Sequence, residues 1–271
     1  MPESSRTAFG EVDRTGDPGG FVRYLDTTRA TAFFREVKER SYAALDLRPS
    51  LRALDVGCGT GEDAQALARA VGPGGLAVGV DVSATMLAEA RRRAAAAGLP
   101  VAFCRADAQR LPFADDAFDR CRAERVLQHV EDPRAVLAEL IRVTRPGGLV
   151  AIWESELEML VLDVPDRAVG RRLEHAICDG FRNGAIGHRL YRFFKEAGLV
   201  EVEATPLSRA ITDYALADAA FQFRAVAERA VAAGSVTADE AAAWLASLEA
   251  ARDAGHFLCA VAGFLVSGRK P

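Results

Sequence analysis

The chain has 271 residues, half of them hydrophobic, and its 34 basic and 38 acidic residues give a formal charge of −4. That length is enough for one large α/β domain, and the interspersed charge offers no long positive field for a nucleic-acid backbone or an anionic membrane. Five cysteines (Cys58, Cys104, Cys121, Cys178, Cys259) stand without C-x-x-C pairs, which argues against a disulfide framework or a zinc cluster and suits a reducing cytoplasm.

Residues 1–20 are polar and glycine-rich without an apolar run, and read as a flexible, unexported N-terminus before a single domain over 21–271. From Phe21 to Leu45, the spacing of Leu25, Ala32, Phe33, Val37 and Ala44 predicts one or two helices, a helical cover over 21–50. Short apolar runs then alternate with amphipathic ones. "RALDVG", "LAVGVD", "VAFCRA" and "FDRCRAE" read as strands, with helices from Glu62 to about Val71 and from Ser83 to Ala97. The alternation predicts a parallel sheet with crossover helices. "DPRAVLAELIRVT" is a helix capped by Asp132 with Pro133 at its first position, and "GGLVAIWESE" a buried fifth strand. Over 155–190 the pattern loosens into a substrate-side insertion at a strand's carboxyl end, where open α/β sheets bind ligands. "HRLYRFFKEAGL" then resumes as a helix leading to the strand "VEVEATP". Helices over 213–233 and 237–254 follow, the second with Thr237 and Glu240 in capping-box positions, and "HFLCAVAGFLVSGRKP" reads as a last strand.

The stretch "LDVGCGTGEDA" fits two glycine patterns. Gly59, Gly61 and Ala64 have dinucleotide spacing, while Asp55, Gly57, Gly59 and Gly61 form D-x-G-x-G-x-G. The acids distinguish them: a pyrophosphate on this helix N-terminus would meet Asp55, Glu62 and Asp63, whereas the ammonium and sulfonium of S-adenosylmethionine would be attracted. The alternative is that Glu62 and Asp63 only complement the helix dipole. Asp81 ends the second strand where a carboxylate takes ribose hydroxyls, and Asp107 at the tip of the third can accept from an adenine amine, with the Ala108 N–H beside it.

Taken together, "LDVGCGTG", "VGVDVSATML", "ADAQRLPFADDAFD", "RVLQHVEDP" and "RVTRPGG" resemble a class I S-adenosylmethionine-dependent methyltransferase of the ubiquinone/menaquinone-methyltransferase-like small-molecule group. The resemblance implies a Rossmann-like, seven-stranded, mostly parallel sheet with helices on both faces and the last strand antiparallel beside the fifth. It places Asp55, Gly57, Gly59 and Gly61 at the methionine portion of the cofactor, Asp81 at the ribose, and Asp107 with Ala108 at the adenine. Val82 and Met86 pack on the purine or are ordinary core.

Methyl transfer needs an aligned acceptor and sometimes a base. Ala123 and Glu124 should pass close to the methyl group, with His129 on the next turn as a base or as a hydrogen-bond partner of the fold. Tyr24 either closes over the pocket onto His129 or packs within its helix. Trp153, Glu154, Phe181 and Arg182 are the candidate acceptor contacts; Trp153 has core as its alternative, and Arg182 and Glu154 have solvent. The expected activity is methyl transfer to an O, N or nucleophilic C atom of a small aromatic or specialised metabolite, with no nucleic acid, membrane or metal involved. A cofactor-binding accessory protein, a cyclase that transfers no methyl group and a dinucleotide oxidoreductase are the alternatives. The acceptor, oligomeric state and pathway are not legible.

Overall fold

The apolar runs become the strands of one seven-stranded sheet, and the turns that follow β1, β2 and β4 meet at one edge of it. A computed structural model describes residues 7–271. Its strands are β1 (Arg52–Val56), β2 (Leu76–Asp81), β3 (Val101–Arg105), β4 (Phe118–Glu124), β5 (Thr144–Leu162), β6 (Val200–Ile211) and β7 (Cys259–Arg269). They pair in the order β3-β2-β1-β4-β5-β7-β6, and β7 runs antiparallel to both its neighbours. β1, β2 and β4 are buried along most of their length, as strands covered on both faces must be.

Helices α1 (Pro18–Arg29) and α2 (Ala32–Ala44) precede the sheet. α3 (Glu62–Val71), α4 (Ala84–Ala96) and α5 (Pro133–Val143) are the crossovers. Asp132 caps α5 through the N–H groups of Arg134 and Ala135, with Pro133 in the first turn where a missing N–H costs nothing. Side-chain alternation divides β1 between two cores. Leu54 and Val56 join α5 residues Val136, Leu137 and Leu140, while Ala53 joins Leu67 and Val71 of α3 and Phe33 and Val37 of α2.

Beyond β5 the chain forms α6 (Arg167–Asp179), α7 (Leu190–Glu196), α8 (Tyr214–Phe221), α9 (Phe223–Ala232) and α10 (Ala238–Asp253). A separate apolar cluster gathers Leu157, Leu160 and Leu162 of β5 with Leu173 and Ile177 of α6, Phe223 of α9, and Trp244 and Leu248 of α10. The expected capping box is present: Glu240 N–H donates to the Thr237 hydroxyl, and Thr237 N–H to the Glu240 carboxylate.

Three boundaries differ from the sequence expectation. Residues 1–6 of the expected flexible N-terminus lie outside the described residues, but the rest is ordered as a 3-10 helix (Thr7–Arg14) and the start of α1. Asp13 anchors it by accepting from Ser83 Oγ and Ala84 N at 2.7 Å and from Thr85 N at 3.1 Å, so it caps α4 from a distant part of the chain. β5 continues through the loosened pattern to Leu162 because β7 follows it, pairing Val161 with Ala260 and Leu162 with Cys259. The helix expected over 213–233 breaks into α8 and α9 at Gln222, whose φ is +51°.

The turn from β1 to α3 depends on Gly61 (φ +83°), where a Cβ would lie 2.8 Å from Ala90 Cβ and 2.9 Å from the Phe103 ring. Gly61→Ala is expected to cost about 1–3 kcal/mol through the left-handed backbone and overpacking. Urea unfolding checks this; an unchanged midpoint would show that the turn relaxes freely.

Candidate active site

Asp55 and Arg122 are direct partners across β1 and β4 and point to the face covered by α2 and α3. Arg122 is wholly buried there, with each nitrogen occupied. Nη1 donates to Asp55 Oδ1 at 2.9 Å and lies 3.0 Å from Asp63 Oδ2; Nη2 donates to Glu124 Oε2 at 2.8 Å, and Nε to Ser41 Oγ at 3.2 Å. Lys38 of α2 donates to Asp63 at 2.5 Å and to Glu124 at 3.2 Å, and the Tyr42 hydroxyl also donates to Asp63. Three carboxylates thus share two cations, and Asp55 Oδ2 is left buried without a partner. Burial pushes the Asp55 carboxyl above the usual range, against the lowering effect of Arg122.

The expected charge of the turn is therefore corrected. Asp63 is spent on Arg122, Lys38 and Tyr42, and Glu62 is paired with Arg29 and Arg93, so neither faces a ligand as a free acid. Only Asp55 keeps a vacant oxygen. It lines a small cavity of about 60 Å³ together with Gly57, Cys58, Gly59 and Glu124, and the paired Glu62 and Asp63 stand on the same wall.

This cavity adjoins a larger one of about 510 Å³, and Gly57, Gly59, Leu25, Phe34, Glu124 and Arg125 line both. Asp81 and Met86 line the larger one. Asp81 accepts from Gly59 N at 2.8 Å and Ser83 N at 2.9 Å, which fixes the carboxylate and leaves lone pairs for further donors. Gly57 (φ +70°) has no room for a Cβ, which would lie 2.2 Å from Val126 Cγ2. The glycine cradle, the orphaned Asp55 oxygen and the anchored Asp81 fit a ligand that bears an ammonium and a ribose.

Several expected contacts do not reach either cavity. Gly61 faces Ala90 and Phe103, so it shapes the turn without touching the ligand space. Ala123 is fully buried on the opposite face of β4, among the α5 contacts. Val82 is exposed, and its carbonyl accepts from Arg105 Nε. Asp107 is exposed and accepts from Gln109 N at 2.9 Å in a local turn, while Ala108 packs against the sheet core; neither is on a cavity wall. In that region Phe9 and Val12 of the anchored N-terminal helix supply wall instead, Val12 packing on Phe21 and Met86.

Tyr24, Glu124, His129, Trp153 and Phe181 all line the larger cavity, so the structure brings together candidates from four separate stretches. Their roles shift. Glu124 is held by Lys38 and Arg122 and is not a free base. No hydrogen bond joins Tyr24 to His129; the Phe9 ring stands beside both, at 6.0 Å and 5.2 Å between centroids. The His129 ring lies 2.9 Å from Gln128 Nε2 through its own Nε2, and its Nδ1 is buried without a partner. Burial, reinforced by the charge of Arg125, pushes the imidazole down to about 3, so it is neutral at ordinary pH. Trp153 is core, edge-on to Phe33 and Phe34, and offers the cavity little more than a flank.

Glu154 is not an acceptor contact. It is fully buried off the cavity, and its Oε1 accepts from Val126 N at 2.7 Å and Leu127 N at 2.6 Å, stapling the His129 loop to β5. Asn183, which the sequence did not single out, grips the same loop through Leu127 O and Val130 O. Arg182 is exposed and outside the lining, and His188 pairs with Glu156 at 2.7 Å. Arg125 and Arg209 were also missed, and both face the larger cavity.

Removing Arg122 would leave Asp55, Asp63 and Glu124 buried with Lys38 alone. Arg122→Met is expected to cost about 3–5 kcal/mol in urea unfolding; a loss below about 1 kcal/mol would mean the carboxylates are reached by water. Glu154 gives a pH signature. Burial raises its carboxyl from 4.5 to about 8, so its contribution is complete below 4.5 and is lost as pH rises toward 8. Wild-type stability is expected to fall relative to Glu154→Gln by about 1 kcal/mol per pH unit across that window. Parallel pH profiles of thermal unfolding would refute it.

A methyltransferase-domain family profile matches residues 54–152. A demethylmenaquinone methyltransferase of Geobacillus kaustophilus is 32% identical over 193 residues, 65% of this chain and 82% of that protein. An uncharacterized 37.1 kDa protein in transposon TN4556 of Streptomyces fradiae is 39% identical over 247 residues, 90% of this chain and 70% of that protein. Among solved structures, the 4+2 cyclase SpnF superposes with a TM-score of 0.53 at 26% identity, covering 87% of this chain and 81% of its own. With the 3-2-1-4-5-7-6 sheet and the glycine cradle beside Asp55 and Asp81, the chain belongs to the class I methyltransferases, and its cofactor is S-adenosylmethionine.

Proposed function

We propose that the acceptor is a small aromatic metabolite, methylated at an O, N or nucleophilic C atom inside the larger cavity. The observation that carries this reading is the cavity wall. Phe9, Phe33, Phe34, Phe181 and the neutral His129 ring surround a space that opens directly onto Gly57, Gly59 and Asp81. Flat aromatic walls suit a planar acceptor, and the Geobacillus relative is named for a quinone substrate. The formal charge of −4 supports a small molecule over a nucleic acid, and five free cysteines support the cytoplasm. No helix of the described residues is long and apolar enough to cross a membrane.

S-adenosylmethionine, when bound, supplies an electrophilic methyl group. Asp55 Oδ2 and the Gly57–Gly59 backbone would hold its aminoacyl end, and Asp81 its ribose. The remaining work falls to the acceptor wall. His129 lines the cavity, and its buried, unpartnered Nδ1 would take a hydrogen bond from a methyl acceptor that packs against the ring. An imidazole pushed down to about 3 is too weak to strip a proton from a neutral phenol. Acceptors that arrive ionised, or whose proton leaves to water, are therefore preferred.

A second reading keeps the cofactor and loses the transfer, as in a cyclase or accessory protein. It is favoured by the likeness to SpnF and by the absence of a free, ordinary base among the groups described above.

Incubation with methyl-labelled S-adenosylmethionine and a panel of naphthols and hydroxyquinones is expected to release S-adenosylhomocysteine. Cofactor binding without release across the panel would favour the second reading. His129→Ala is expected to lower kcat by about tenfold or more, with cofactor affinity changed by less than about twofold; unchanged turnover would remove His129 from the site. The pH–rate profile is expected to follow the ionisation of each acceptor, and a fixed limb near 6.5 for all acceptors would restore His129 as a general base.

A further inference from the structure

Arg209, near the end of the edge strand β6, lies with its guanidinium carbon 5.2 Å from the Phe33 ring and 5.6 Å from the Phe34 ring. Arg125 covers Phe34 at 4.4 Å, on a backbone held at φ +54°. Both side chains line the larger cavity, and the Nε of each is buried with no hydrogen-bond partner among the described residues.

Neither charge is matched locally. Arg209 forms no ion pair among the described residues, and Arg125 comes only within 3.9 Å of Glu124, whose oxygens are taken at shorter range by Lys38 and Arg122. Neither of the other carboxylates on the cavity wall, Asp81 and Asp218, forms an ion pair with either arginine among the described residues. Asp81 holds Gly59 and Ser83, and Asp218 accepts from Phe223 N at 2.9 Å. Stacking on phenylalanine offsets part of the cost of a half-buried guanidinium, but it leaves the N–H edge without an acceptor. A planar oxyanion would satisfy that edge with paired hydrogen bonds, which a lysine in the same place would not reproduce.

We infer that Arg209, with Arg125 beside it, binds a carboxylate carried by the acceptor, so that the substrate class is an aromatic acid. This rests on the reading of the cavity as an aromatic acceptor site. The carboxylate is the handle by which the acceptor is oriented, its ring lying along the phenylalanine wall. Arg182, a candidate acceptor contact in the sequence, lies outside the cavity lining, and Arg209 stands on it instead.

The test uses the full chain loaded with S-adenosylhomocysteine and titrated calorimetrically with 2-naphthoate and, separately, with its neutral isostere 2-naphthamide. Naphthoate is expected to bind about tenfold tighter or more, as charge-assisted hydrogen bonds require. Arg209→Met is expected to bring naphthoate down to the level of naphthamide, with S-adenosylhomocysteine affinity within about twofold, and Arg209→Lys to recover only part of the difference. Equal binding of the two probes to the wild-type protein would overturn the carboxylate assignment while leaving the aromatic cavity standing. Binding of neither would overturn both. The wild-type comparison decides the matter even where a variant fails to fold.

Discussion

A guanidinium with no exposed surface can persist only if its charge is answered on every side, and Arg122 sets that condition for the centre of this fold. Its partners come from three different elements: Asp55 from β1, Asp63 from the first turn of α3 and Glu124 from the end of its own strand. Lys38 brings in α2 as a fourth. Such a set is expensive to desolvate and worth little as separate pairs, but it fixes geometry because any displaced member leaves a buried charge unanswered. The start of α3 is thereby held against β1 and β4, the glycine turn is stretched between fixed ends, and one oxygen of Asp55 is left over beside that turn.

The same arrangement organises the acceptor side. Glu124 is the last residue of β4, and the chain turns immediately at Arg125 in a left-handed conformation that few non-glycine residues adopt. The loop that follows lies on Gly57, is stapled from below by Glu154 and is gripped from the insertion by Asn183. His129 therefore sits on a loop that behaves as part of the sheet. Its weak basicity follows from that placement, since a ring sealed among Phe9, Phe181 and the Arg125 charge is poorly able to take a proton.

The sequence made the strand and helix alternation, the β1–α3 turn and the Thr237–Glu240 capping box legible, because each is encoded within a few neighbouring residues, while the antiparallel last strand followed only from the family resemblance. What it hid is what register decides. Arg122 looked like one charge among several in "FDRCRAE", and only its pairing opposite Asp55 shows that it is buried and shared. Glu62 and Asp63 are acids in the right place whose charge is consumed by residues from α1, α2 and α4. Glu154 and Trp153 alternate along β5 as expected, but the loop after β4 closes over one and Phe33 and Phe34 of α2 over the other, and so they became staple and core. The 7–14 segment lacks the apolar density of a helix, yet Val12 and Phe9 pack on Phe21 and Asp13 caps α4, and that placed Phe9 where a Tyr24–His129 pair was expected. Arg209 sits in a plain alternating edge strand, far in sequence from the rings it covers.

The separate core formed by the outer halves of β5 and β7 with α6 and α8–α10 has a consequence for where this fold tolerates change. That cluster shares no buried residue with the two cores that clamp the sheet around Asp55 and Asp81. Insertions or repacking there would reshape the side of the chamber lined by Leu157, Ile211 and Phe221, while the turn beside Asp55 and Asp81 keeps its support. The chamber thus has one wall tied to the sheet, through Phe33 and Phe34, and another that can be exchanged without disturbing it.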